Sequence, residues 1–126
     1  MAEASGALRV ERVDFITIPT RDIERSRAWY HDLLGLPTDA NNPEELTAGQ
    51  VTLAFWDPST DGVDFSPSIG GFALRVDDVD RAKADLETKG VEFEGETLDT
   101  SVCHMAFFRD PDGNALMLHR RYATRP

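Results

Sequence analysis

The chain is poor in the residues from which many sites are built. It has one cysteine, Cys103, in 126 residues, which excludes an internal disulfide and any multi-cysteine metal centre. It has three histidines, His31, His104 and His119. No apolar run approaches the roughly 18 residues of a membrane span, so a membrane is not an expected partner. The opening MAEASGALRVERV lacks a long apolar stretch and carries Glu3, so it does not read as a secretory signal and a cytoplasmic location is expected. Basic charge is also scarce. The formal net charge is −10, which argues against nucleic acid, because phosphate binding needs a basic patch.

What remains is an ordinary soluble composition, 40% hydrophobic and 29% charged, in one chain long enough to bury a core as a single domain over residues 1–126. The acids are spread, with small clusters at Asp77, Asp78 and Asp80 and at Glu92, Glu94 and Glu96. They read as a solvated acidic surface.

The chain repeats itself once. FITIPTRDIERSRAWYHDLLG from Phe15 and GFALRVDDVDRAKADLETKG from Gly71 each open on an alternating strand-like run, then a cap, then a helical pattern. Asp22 and Asp78 are N-caps whose carboxylates can take the free N–H groups of the first turn. Ile23, Ser26, Tyr30, Leu33 and Leu34 follow the first at helical spacing up to Gly35; Val79, Ala82 and Leu86 follow the second up to Gly90. Three strand candidates come after each helix, around 36–40, 45–48 and 51–56, then 92–96, 102–109 and 114–120. The spacing predicts module one over about 11–57, a linker over about 58–70, module two over about 71–120 and a tail at 121–126.

Alternation assigns faces. One face carries Ile16, Ile18, Leu53, Phe55, Leu74, Leu116 and Leu118, and also Met105 and Phe107; it suits packing under the helices. The other carries Phe15, Thr17, Thr52, Ala54, Trp56, Ala73, Arg75, His104, Ala106, Phe108, Met117 and His119. That mixture of small, aromatic and placed polar groups suits a ligand cleft. Asp110-Pro111-Asp112-Gly113 is a turn signal. If Arg109 pairs with Asn114, His104 faces His119 across the hairpin on the cleft side. A shift of one residue separates them.

Three stretches, DIERSRAWYHDLLGL, VDDVDRAKADLETKGV and FFRDPDGNALML, resemble the vicinal oxygen chelate superfamily, the glyoxalase/bleomycin resistance/dioxygenase family. The resemblance implies an α+β fold of two βαβββ modules whose curved mixed sheets surround a cleft, commonly as a homodimer with exchanged strands or modules. It also implies where the metal ligands of the family's enzymes would stand. Those positions are Phe15, Gly71, Met117 and Ala54 (Thr52 the alternative). None of these can bind a divalent metal in the usual way, since a catalytic ion needs about three protein ligands with N, O or S donors, so no cofactor is expected.

His104 and His119 remain candidates for ligand hydrogen bonding, for acid/base chemistry, or for a noncanonical metal site. Arg75 either pairs an anionic group of a ligand or reaches to Asp77 or to an acid on a neighbouring subunit. Trp56, Phe15 and Phe108 either wall the cleft for a planar ligand or fill core. Trp29 and Tyr30 read as packing residues and His31 as a surface residue. The leading expectation is a small-molecule-binding protein of drug-sequestering type, with Phe15, Thr17, Trp56, Arg75, His104, Phe108, Met117 and His119 as the ligand-binding set. The alternatives are an enzyme of lyase, isomerase or dioxygenase type working through His104 and His119, and an interaction module whose cleft is closed core.

Overall fold

A computed structural model describes residues 8–124. The first strand, β1 (Phe15–Pro19), leads into helix α1 (Ile23–Leu34). The Asp22 carboxylate accepts the Arg25 N–H at 3.1 Å, which satisfies one of the four first-turn donors that have no partner within the helix. Two strands follow, β2 (Leu46–Ala48) and β3 (Val51–Trp56). A short 3₁₀ turn at Pro58–Asp61 starts the linker. The second unit then runs β4 (Ala73–Arg75), α2 (Val79–Thr88), β5 (Leu98–Asp99), β6 (Cys103–Arg109) and β7 (Ala115–Arg121). Asp78 caps α2 through the Arg81 N–H at 3.0 Å. Caps, helix starts and capped amides all recur 56 residues apart, as the repeat requires.

Two expected strands shrink. The run at 36–40 contributes only a bridge from Thr38 to Leu46. Pro37 has no N–H for a ladder, and the Asp39 carboxylate turns the chain by accepting the Asn41 and Asn42 amides at 2.8 and 3.1 Å. The run at 92–96 likewise gives a bridge, Phe93 to Phe108, and the strand that pairs β6 lies beyond it at β5. The tail expected from residue 121 starts one residue later, because β7 includes Arg121.

The strands form two sheets. Sheet I has the order β1-β3-β2, and sheet II the order β4-β7-β6-β5. In each, the strand before the helix lies parallel to the last strand of its unit, β1 on β3 and β4 on β7. This leaves β1 and β4 as edges.

Both sheets turn the same kind of face to one shared core. Ile18, Leu46 and Leu53 come from sheet I; Ala106, Phe108, Leu116 and Leu118 from sheet II; Tyr30, Val79 and Leu86 from the helices. Helix α1 touches both sheets, with Tyr30 edge-on to Phe55 at 5.3 Å and Trp29 6.3 Å from Phe108 between ring centroids. Because the helix-bearing faces meet in the middle, the other two faces, here called the front faces, point outward.

A polar clasp ties the units together at the Asp110–Asn114 turn. Buried Asp112 accepts from the Thr20 hydroxyl (2.6 Å), the Arg25 guanidinium (2.7 Å) and the Arg21 amide (3.2 Å). The Tyr30 hydroxyl donates to Asp110 at 2.7 Å, and Asn114 donates to the Pro19 carbonyl at 2.8 Å. Burial, then the Asp110 carboxylate, push the Tyr30 hydroxyl above the ordinary tyrosine range. Every member of this network has partners, which a buried polar group needs to be tolerated.

Candidate functional site

The hairpin joining β6 and β7 decides which side chains reach the front of sheet II. Its loop is Pro111-Asp112-Gly113. Asp110 and Asn114 close it, with the Asp110 N–H on the Asn114 carbonyl at 3.0 Å and the Gly113 N–H on the Asp110 carbonyl at 3.0 Å. Gly113 sits at φ 90°. This is a type I turn followed by a left-handed residue, the usual three-residue hairpin. The Asp110 carboxylate also takes the Asn114 N–H at 2.9 Å. The pairing therefore runs Arg109 to Ala115, Phe107 to Met117 and Met105 to His119, one residue away from the expected Arg109–Asn114 pairing.

That single residue turns β6 over. Ala106 and Phe108, expected in the cleft, are each 1% exposed in the core. Met105 and Phe107, expected under the helices, lie on the front. His104 pairs with Arg120 rather than His119, so the two imidazoles lie on opposite faces of the sheet. His104 instead stands 3.4 Å from the Asp99 carboxylate and against the Tyr122 ring at 4.8 Å. The Tyr122 hydroxyl donates to Asp99 at 2.7 Å; this bond first, and the Ser101 amide second, hold the Asp99 carboxyl below its ordinary range. The paired-histidine acid/base or metal site is thereby overturned, and His104 and Phe108 leave the ligand-binding set. His31 is exposed on α1 beside Asp32, as expected.

The other expected cleft residues are where alternation put them. On sheet I, Phe15 pairs with Thr52, Thr17 with Ala54 and Pro19 with Trp56, opposite the buried Ile18 and Leu53. Phe15 is 58% exposed. The Trp56 indole is turned toward the linker, its N–H donating to Asp61 at 2.7 Å. On sheet II, Met117 lies between Ala73 and Phe107, and His119 between Arg75 and Met105. Leu98, next to Met105, is 48% exposed. Sequence reasoning missed Met105, Phe107 and Leu98 here. The signal for the first two was Gly113, whose left-handed conformation after a type I turn makes the loop odd-numbered.

The positions assigned to family metal ligands do not fit a divalent ion. Phe15, Ala54 and Met117 bring a phenyl ring, a methyl and a thioether. Gly71 is closed to any side chain. It sits at φ 70°, and a Cβ there would meet the Ala115 carbonyl oxygen at 2.9 Å. Among the described residues, no three His, Cys, Asp or Glu come together as a metal-holding group.

A separate groove of about 600 Å³ opens between the units, walled by Leu33, Leu36, Ala48, Leu74 and Leu86, with Arg75 and Asp85 at its rim. Among the described residues, no helix is long and apolar enough to cross a membrane.

The match to the Glyoxalase/Bleomycin resistance protein/Dioxygenase superfamily runs over residues 12–118. The chain belongs to this superfamily. The solved structures agree. An antibiotic binding protein, TnmS3 from Streptomyces sp. CB03234, is 26% identical with a TM-score of 0.75, over 91% of this chain and 99% of that one. A superfamily member from Sphaerobacter thermophilus DSM 20745 is 27% identical with a TM-score of 0.74, over 89% and 98%. A lactoylglutathione lyase from Agrobacterium tumefaciens shares the fold at 20% identity and a TM-score of 0.73, over 88% and 94%. The search among curated proteins returned no match.

Proposed function

We propose that this superfamily member binds a small, largely apolar or planar organic molecule, without a metal, in a cleft built from the front of sheet I of one copy and the front of sheet II of a second. The observation that carries this reading is the outward direction of both front faces. They hold Phe15, Trp56, Met105, Phe107 and Met117, and yet they cannot meet within one chain, whose two sheets are back to back across the core. Part-exposed apolar faces of this kind mark binding surfaces. The free edges of β1 and β4 supply backbone groups that a second copy can pair or cover. Leu8, Val10 and Val13, exposed by 85, 78 and 59%, offer further apolar surface for that contact. The likeness to an antibiotic binding protein at 26% identity supports a sequestering role, and the ill-fitting donor set counts against metal chemistry.

Two measurements test this. Sedimentation equilibrium should return a dimer mass. A thermal-shift screen against planar aromatic natural products should find ligands, since a ligand at 100 times its Kd stabilises the fold by about 2.7 kcal/mol. Met117→Glu, on the front of sheet II, should abolish the shift, whereas Leu36→Glu, in the intermodule groove, should leave it. The reverse pattern would move the site to the groove and overturn the reading.

A further inference from the structure

We infer that the molecule held in this cleft carries an anionic oxygen group, seated between Arg75 and His119 on the front of sheet II. The inference rests on the cleft reading above and adds the chemistry of the ligand. Its basis is a row of residues in register across the sheet: Arg75 opposite His119, His119 opposite Met105, and Met105 opposite Leu98. A cation, an imidazole and two apolar side chains thus stand side by side.

The charge of this face departs from that of the chain. The protein carries 23 acids against 13 lysines and arginines. Even so, alternation along β4, β6 and β7 brings Arg75, Arg109, Arg121 and His119 to the front and no carboxylate of those strands; Glu94, whose amide bonds the Phe107 carbonyl beside β6, is taken up by Arg109. Asp99, the acid of β5, pairs with His104 and so belongs to the other face. Two of the arginines are engaged. Arg109 bonds Glu94 at 2.6 Å and the Gly113 carbonyl at 3.0 Å. Arg121 bonds the Ala123 carbonyl at 3.1 Å. Arg75 is exposed, and among the described residues no carboxylate lies within ion-pair distance of it. Asp77, two residues on, does not take it, and Asp85, which shares the groove at the sheet's edge, lies 3.9 Å from Lys89. The guanidinium keeps its planar fork of donors, which matches a carboxylate, sulfonate or phenolate oxygen.

Local geometry decides the sign here rather than the long-range field. The net charge repels anions, but physiological salt screens charges beyond about 8 Å. Inside the cleft, Met105, Met117 and Ala73 displace water around the pair and strengthen it. Sheet I has no charged residue in β1, β2 or β3 and would receive the apolar body of the same molecule.

Two fluorescent dyes with one ring system separate the possibilities: 8-anilinonaphthalene-1-sulfonate and its uncharged parent, N-phenyl-1-naphthylamine. The intact protein should bind the sulfonate at least about tenfold more tightly, the scale of one charge-assisted contact. Arg75→Gln, an exposed substitution whose folding circular dichroism can check, should erase that preference while leaving the neutral dye within about twofold. Arg75→Lys should restore part of it, and His119→Gln should lose less. Equal affinities in the intact protein, or a preference that survives Arg75→Gln, would overturn the anion inference and leave the cleft standing. If neither dye binds, or Met117→Glu blocks neither, the cleft reading fails and this inference falls with it.

Discussion

Phe107 and Phe108 are neighbours in the chain and opposites in the fold. Phe108 is 1% exposed in the core, 5.0 Å from Phe93 and near Trp29. Phe107 sits on the front of sheet II beside Met117. The part of the back that meets the core (Ala106, Phe108, Leu116, Leu118) is apolar and closed, and its side chains hold the protein together. The front (Met105, Phe107, Met117, His119, Arg75) is part-exposed and mixed, and stability alone does not call for it. A face that folding does not need in that form is the place to look for function.

The comparison can be broken at several points. The largest effect should come at Phe108. Phe108→Ala leaves a buried cavity and should cost about 3–5 kcal/mol in denaturant unfolding, while Phe107→Ala should cost less than about 2 kcal/mol and weaken dye binding instead. Equal losses of stability would mean that β6 presents the other face. Next in size is the clasp under the hairpin turn. Tyr30→Phe removes the donor to buried Asp110 and should destabilise by about 1–3 kcal/mol, with dye affinity unchanged in the folded fraction. The histidines sharpen the contrast further. His119→Ala should weaken binding of an anionic probe, and His104→Ala should not, because the two rings lie on opposite faces.

The smallest effect concerns the cluster around His104. Tyr122→Phe should raise the Asp99 carboxyl toward its ordinary value of 3.8, read by an NMR pH titration of its side chain. The sign follows from linkage: a carboxyl depressed in the folded state adds stability above its unfolded value and loses it as pH falls through the lowered one. An unchanged Asp99 titration in the variant would remove the hydroxyl as the cause.

Local signals carried much of this fold in the sequence. Asp22 and Asp78 announced both helices, because an N-cap acts within one turn of its own position. The strict alternation of FITIP and VTLAFW placed Phe15, Thr17, Ala54 and Trp56 on the front of sheet I without knowledge of their partners. The front of sheet II was harder to read. The facing of β7 followed from Leu116 and Leu118, but β6 alternates between two apolar sets, Met105/Phe107 and Ala106/Phe108, and either could fill a core. Only the loop length chooses between them, and Gly113 makes that loop three residues rather than four. The clasp was hidden for another reason. Asp110, Asp112 and Asn114 look like turn residues, and their second task, meeting Thr20, Arg25, Tyr30 and Pro19, depends on how distant segments pack. The same holds for the outward direction of the two fronts, which no local pattern encodes.

The most direct test of a cleft shared between copies is complementation. One variant carries Ala54→Glu on sheet I, the other Met117→Glu on sheet II, and each alone should fold, dimerise and bind no 8-anilinonaphthalene-1-sulfonate. When the two are unfolded and refolded together, each mixed dimer holds one intact cleft, so binding should return at about a quarter of the intact protein's sites for random pairing. Binding that stays at zero in a population shown to contain mixed dimers would contradict the account, because it would mean that each cleft draws both of its walls from one chain.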